Sequence, residues 1–203
     1  MHEKPCTCYR ADMDEAPPPR IADVGMAKAM ANPVRQRILR VLHRVGEATS
    51  TTLASELAMT TGATSYNLRV LAKYGLVEEV PERARGRERW WRTVPVDVRF
   101  APRGAQDPSL RAAVGELNQA WLTEDFDMFA RFQQQRADMG EWGDALPYSR
   151  GSIKVSLTDL EAFFEDYLAL LRRYQRGRPD DPAADVRTVH TRFIAFPDPE
   201  EGT

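Results

Sequence analysis

Two short amphipathic stretches joined by a three-residue turn, followed at once by a change of period, constrain this chain most. The first spans roughly Thr51 to Ala58, with Leu53, Ala54 and Leu57 apolar; the second opens at Thr60 or Thr61 and runs to Lys73 or Tyr74. Ala58-Met59-Thr60 leaves only a tight connection between them. A threonine hydroxyl can accept from the orphan N–H groups of the second stretch, and Gly75 is the residue type that most readily ends a helix. Such a pair is a helix-turn-helix arrangement. The period then becomes two: Leu76 to Val80 reads as a strand, Pro81 to Gly86 as a loop and Arg87 to Val94 as a returning strand.

The flanks extend this reading. Ile21 to Ala31 has Ile21, Val24, Ala27 and Met30 near helical spacing. Asn32-Pro33 then supplies a cap and a first-turn proline for a helix burying Val34, Ile38, Val41, Leu42 and Val45, with Arg35, Gln36, Arg40 and Arg44 largely outside; Gly46 stops it. Val94 to Asp107 reads as a linker. Ser109 to about Arg136 is helical, striped by Leu110, Val114, Leu117 and Trp121 and then Phe126, Phe129 and Phe132, with a break allowed at Leu122-Thr123. Ile153, Val155 and Leu157 alternate as a strand. Thr158 and Glu161 are spaced as a capping box for a helix to about Gln175, Gly177 to Asp185 is a polar loop, and Val186 to Phe196 has strand character. The expected fold is α+β: a disordered tail over 1–20, a winged helix-turn-helix domain over 21–98, and a helix-rich C-terminal domain with short strands over 105–198.

Charge places a polyanionic partner on the first half. The net charge is −2, but Arg20 to Phe100 holds 14 Lys/Arg against 8 Asp/Glu, whereas Ala101 to Thr203 holds 12 against 18. No apolar run approaches the roughly 18–20 residues that span a membrane. The first 20 residues carry Pro17-Pro18-Pro19 rather than an apolar leader, so neither a membrane partner nor secretion is expected. Both cysteines, Cys6 and Cys8, precede the first periodic segment. A disulfide framework is therefore not expected, and the compartment reads as the cytoplasm.

Advancing 100° per residue from Gly62 gathers Gly62, Ser65, Tyr66, Arg69 and Lys73 within about 60° of one direction, with Thr64, Leu68 and Leu71 opposite. One face can pack while the other offers hydroxyls, a guanidinium and an ammonium to double-stranded DNA. Arg69 can read guanine or hold a phosphate, and Lys73 and Thr61 suit the backbone. Any solvated helix has a polar face, so the hairpin matters: Arg83, Arg85, Arg87 and Arg89 crowd its tip, with only Glu82 and Glu88 beside them.

These residues carry a resemblance. Ala31-Asn32-Pro33-Val34-Arg35-Gln36-Arg37-Ile38-Leu39, Leu53-Ala54-Ser55-Glu56-Leu57, Ser65-Tyr66-Asn67-Leu68-Arg69-Val70-Leu71, Gly75-Leu76-Val77 and the hairpin ending Gly86-Arg87-Glu88-Arg89-Trp90-Trp91 resemble the ArsR-type winged helix-turn-helix regulators over about residues 21–98. The resemblance implies a homodimer on a palindromic operator, usually a repressor released by a signal. It puts base reading on Gly62, Ala63, Ser65, Tyr66 and Arg69. Thr51 to Met59 holds no Cys, His or Asp, so the thiolate cluster of the metal-sensing members has no counterpart. The second half, with Trp142 before Leu146, the helix start at Leu157 and an end at Phe196-Pro197, resembles the C-terminal extension of a larger actinobacterial-type subgroup.

Other features weigh less. Cys6 and Cys8 with His2 fall short of a closed four-ligand site. Trp121, Phe129 and Trp142 are candidates to line a small-molecule effector pocket, although aromatic residues at helical spacing equally make core or dimer interface. Glu161, Glu165, Asp166 and His190 lack a nucleophile or phosphate loop, so no enzyme and no cofactor is expected. Dimerisation is expected through Ile21 to Ala31 and the helix from Ser109. The rival reading is a protein-interaction scaffold using the winged helix and the acidic half.

Overall fold

The computed structural model describes residues 19–84, 86, 88–176 and 185–200, and the expected tail up to residue 18 lies outside them. It divides into two compact units, the first ending at Asp144 and the second starting at Ala145. The helix α5 (Pro108–Gln135), expected to open the C-terminal domain, groups with the first unit.

In the first unit the five longer helices each start on a side-chain cap. Asp23 accepts from Met26 N at 2.7 Å and opens α1 (Val24–Ala31). Asn32 accepts from Val34 N and Arg35 N at 3.0 and 3.2 Å and opens α2 (Pro33–Val45), where Gly46 at φ +82° breaks the chain away. Such caps contribute about 1 kcal/mol each. Thr49 accepts from Thr52 N at 3.1 Å for α3 (Ser50–Glu56), and Thr60 accepts from Ala63 N at 3.2 Å for α4 (Thr61–Lys73). The turn between α3 and α4 passes through Ala58 at φ +53°, and Gly75 at φ +63° releases the chain after α4.

Several expectations shift. The first helix begins at Val24, not Ile21, because Pro19–Ile21 form a strand, β1, paired in parallel with β5 (Asp97–Arg99) inside the expected linker. Ala22 N extends this pairing to Arg99 O at 2.8 Å. On α2, Ile38, Val41 and Leu42 are buried, but Val45 is half exposed and Gln36 is buried instead. Gln36 tolerates burial because its amide donates to Met30 O at 2.9 Å. The expected hairpin is a three-stranded sheet. β3 (Val77–Glu79) and β4 (Trp90–Thr93) are antiparallel, and β2 (Glu47–Thr49) adds to the other side of β4, giving the order β2-β4-β3 with Ala48 opposite Trp91.

The core joins Met26, Ile38, Leu42, Leu53, Leu68, Leu71, Leu76, Val77 and Trp91. Burial of each large aliphatic side chain contributes roughly 1.5–3 kcal/mol. A second, smaller cluster seats α5 on α1 through Ala27, Ala113 and Leu117. α5 runs unbroken through Leu122-Thr123, since the Thr123 hydroxyl donates to Gln119 O at 2.9 Å within the helix. Asp107 caps α5. Its carboxyl is held below the usual range, chiefly by the Ser109 hydroxyl and then by Leu110 N–H, so this cap is lost as pH falls through the lowered value. At Gly25 an added Cβ would collide with the Tyr74 hydroxyl, so the side chain that follows α4 reaches onto α1 there. A short helix, α6 (Glu141–Asp144), ends the unit.

The second unit is built differently. Its helix, α7 (Leu157–Arg176), starts on Ser156 rather than Thr158. The Ser156 hydroxyl accepts from Asp159 N at 3.2 Å while Ser156 N donates to the Asp159 carboxylate at 3.2 Å. The capping box is therefore Ser156 with Asp159, not Thr158 with Glu161. The strands expected at Ile153–Leu157 and Val186–Phe196 do not form among the described residues. Alternation gives a strand only where an edge is available to pair, and the described part of this unit offers none. The segment over 185–200 instead packs Phe193 on Phe163, Phe164 and Tyr167, with ring centroids 4.7–5.7 Å apart. Tyr167 also donates to the Thr191 hydroxyl at 3.2 Å. The expected polar loop falls over 177–184 outside the described residues.

Candidate nucleic-acid interface

The exposed face of α4 follows from what its other face buries. Thr64, Leu68 and Leu71 are fully buried against α2 and α3, and the Thr64 hydroxyl donates to Thr60 O at 3.1 Å. The 3.6-residue turn then leaves Thr61, Gly62, Ala63, Tyr66, Arg69 and Lys73 exposed, with Ser65 half-buried at the edge. The structure thus gathers the expected reading residues on one surface. Tyr66 is 59% exposed. Among the described residues, neither Arg69 nor Tyr66 has a hydrogen bond or ion pair, and Lys73 meets only the Tyr74 ring, 5.5 Å from its centroid.

The start of α4 is low as well as polar. A Cβ added at Gly62 would meet nothing within 4 Å, so its small size is not required by packing inside the protein. It does keep the first turn open to a broad surface, where unsatisfied helix N–H groups favour a phosphate. Behind this face, the Arg35 guanidinium ties α2 to the end of α1 by donating to Ala29 O and Lys28 O at 2.7 and 3.0 Å. Its pKa is lowered by burial, with Tyr66 and Tyr74 acting in the opposite direction.

The wing holds its arginines in another way. Arg83 pairs with Glu47 at 2.7 Å and lies 4.1 Å over the Trp90 ring, and Arg89 pairs with Glu79 at 2.8 Å. Both are engaged by acids 36 and 10 residues away in sequence rather than standing alone at the tip. Arg85 and Arg87 lie outside the described residues. Solvent-exposed pairs of this kind are worth only about 0–1 kcal/mol, so a phosphate can compete for either guanidinium.

Residues not singled out from sequence also frame the surface. Arg92 on β4 pairs with Glu78 at 2.7 Å and, with Val45, Glu47 and Arg83, lines an open cleft of about 430 Å³ beside the wing. Arg20 donates to Tyr74 O at 2.7 Å, tying β1 to the end of α4. Arg40, expected on the outside of α2, forms an ion pair with Glu124 of α5. These pairings span long sequence separations, and no local pattern announces them.

Of the effector candidates, Trp121 and Phe129 are exposed on α5, eight residues apart, and Trp142 is half-buried on α6. Phe129 has Phe132 as a ring neighbour at 6.3 Å. Cys6, Cys8 and His2 lie outside the described residues, among which no group of three or more His, Cys, Asp or Glu could hold a metal ion. No helix among them is long and apolar enough to cross a membrane.

Residues 30–80 match a family of helix-turn-helix domains. No curated protein matches the chain. Among solved structures, a possible transcriptional regulatory protein from Mycobacterium bovis (fragment 1–100) is 36% identical over 34% of this chain and 69% of that one, with a TM-score of 0.30. Reduced HlyU from Vibrio cholerae is 25% identical over 47% and 84%, also with a TM-score of 0.30. ZitR from Lactococcus lactis, a double mutant in apo form, is 17% identical over 71% and 84%, with a TM-score of 0.32. Superpositions this loose bear no weight. The match over 30–80 does, since it contains α2, α3, α4 and β3, and together with the exposed face of α4 it supports a DNA-binding regulator of transcription.

Proposed function

We propose that this chain is a cytoplasmic transcriptional repressor of the ArsR type that binds a palindromic operator in double-stranded DNA as a homodimer. The observation that carries the reading is the face of α4: Arg69 and Tyr66 stand exposed and unpaired among the described residues, on a helix seated by Leu68 and Leu71. The low first turn at Gly62 and Ala63 lets this helix enter a major groove, where Ser65, Tyr66 and Arg69 meet base edges and Thr61 and Lys73 meet phosphates. A two-fold dimer would set two such helices about 34 Å apart, in successive major grooves. The DNA-reading part covers 21–98, with Arg83, Arg85, Arg87 and Arg89 as auxiliary phosphate contacts.

The remainder, 105–198, serves dimerisation and regulation. A small molecule that binds one dimer geometry better than another, at a site including Trp121, Phe129 and Trp142, would change the spacing of the two α4 helices and release the operator. Selection from a random DNA pool with the purified chain tests the central reading. Enrichment of a palindrome is the expected result. No enrichment even at low salt would overturn it in favour of a protein-binding scaffold.

A further inference from the structure

Among the described residues, Phe193 lies along the Phe163, Phe164 and Tyr167 side of α7, and the opposite side of its apolar stripe, next to Glu161 and Arg172, has no aromatic cover. α7 is a 20-residue helix, yet among the described residues of the second unit not one side chain is buried. Leu157, Leu160, Phe164, Leu168 and Leu171 form a stripe with spacings of three and four, the pattern of a helix that buries one side in a partner helix. Of this stripe Leu157 is 75% exposed and Phe164 is exposed, while Leu160, Leu168 and Leu171 are half-buried. Contiguous apolar surface of this kind marks an interaction site.

Charge identifies what covers it. The first half of α7 carries Asp159, Glu161, Glu165 and Asp166, and the second half carries Arg172 and Arg173. Such a helix complements itself when a second one runs antiparallel and repels itself when the two run parallel. On a helical wheel Glu161 and Arg172 flank the same edge of the apolar stripe. In an antiparallel pair centred between Phe164 and Tyr167, Glu161 falls beside Arg172 of the partner subunit, and neither has an ion pair among the described residues.

We infer that α7 pairs antiparallel with α7 of a second copy of this chain. The pairing rests on the proposed homodimer and adds to it a contact from the second unit. It places Leu160 against Leu171 of the partner subunit, while the two are about 16 Å apart along one helix, well beyond the roughly 7 Å a disulfide can bridge.

Cysteine cross-linking of the full chain tests this, with Cys6→Ser and Cys8→Ser as background. The chain carrying both Leu160→Cys and Leu171→Cys should oxidise to a covalent dimer, and neither single variant should. Adding Glu161→Arg should lower the yield several-fold, and Arg172→Glu on top should restore it. A dimer from Leu160→Cys alone would mean parallel helices and overturn the inference, as would no covalent dimer from the double variant. Sedimentation of the unmodified chain separates the two readings. An uncross-linked dimer removes only the α7 pairing, whereas a monomer at every concentration removes the homodimer too.

Discussion

α4 and the wing are both rich in cationic and hydroxyl side chains, but they present them in opposite states. On α4 the buried side is Leu68 and Leu71 with Thr64, whose hydroxyl is satisfied by Thr60 O; it carries no acid, and Arg69 has no ion pair among the described residues. In the wing, β2 and β3 bring Glu47, Glu78 and Glu79 beside β4, and Arg83, Arg89 and Arg92 are neutralised by them. The difference teaches that a run of arginines measures charge in the chain, not charge on offer to a ligand. A sheet with glutamates makes a phosphate compete for the arginines it pairs, Arg83 and Arg89 here, whereas a helix seated on a mainly apolar face leaves its outer cations available.

The sharpest way to break this contrast is to remove that seat. Leu68→Ala should cost roughly 2–5 kcal/mol of stability in denaturant unfolding, because it opens a cavity under α4. Unchanged stability would mean α4 is not seated as described. Next, Arg69→Ala should weaken operator binding by about 1–3 kcal/mol and relax preference at one base position, read by titration against substituted operators. If affinity and preference both stay put, reading belongs to the wing.

Gly62→Ala separates folding from recognition. Open space around this position predicts a gain of about 0.5–1 kcal/mol in stability together with weaker DNA binding. Parallel movement of the two would argue against close approach at the first turn. The smallest effect is expected at the wing. Glu79→Gln should release Arg89 and steepen the salt dependence of binding by less than one phosphate contact, a shift of a few tenths of a kcal/mol. A flat response would remove Arg89 from the interface.

How much of this was legible in the sequence depends on reach. The ends of α2 were readable to the residue, because Asn32-Pro33 and Gly46 act within one turn of themselves, whereas Gln36 and Val45 exchanged their expected burial. The start of α4 was readable to within one residue, Thr60 or Thr61, and Thr60 is the cap. Non-local pairing was not readable. β1 and β5 are three residues each, and only their mutual register, Pro19 opposite Asp97, makes them strands. β2 is likewise a strand only because β4 lies next to it. The converse error occurred at Ile153 and Val155, where the alternation is present and, among the described residues, a partner edge is not. Capping at α7 slipped by two residues because serine and threonine are both competent and only the observed hydrogen bonds choose between them. On the candidate site, the exposure of Gly62, Tyr66, Arg69 and Lys73 follows from helical spacing alone, whereas the ion pairs of Arg83 and Arg89 do not, since Glu47 and Glu79 come near only through the sheet.

The contact between Gly25 and Tyr74 has a mechanical consequence. α1 rests on α5 through Ala27, Ala113 and Leu117, and its Gly25 abuts the tyrosine at the tail of α4 with no room for a methyl group. Arg20 grips the Tyr74 carbonyl from the other side. α5, α1 and the end of α4 therefore form one continuous path of contacts. A larger residue at 25 would have to push the hydroxyl end of Tyr74 aside, so the swing of this one side chain is what gives first.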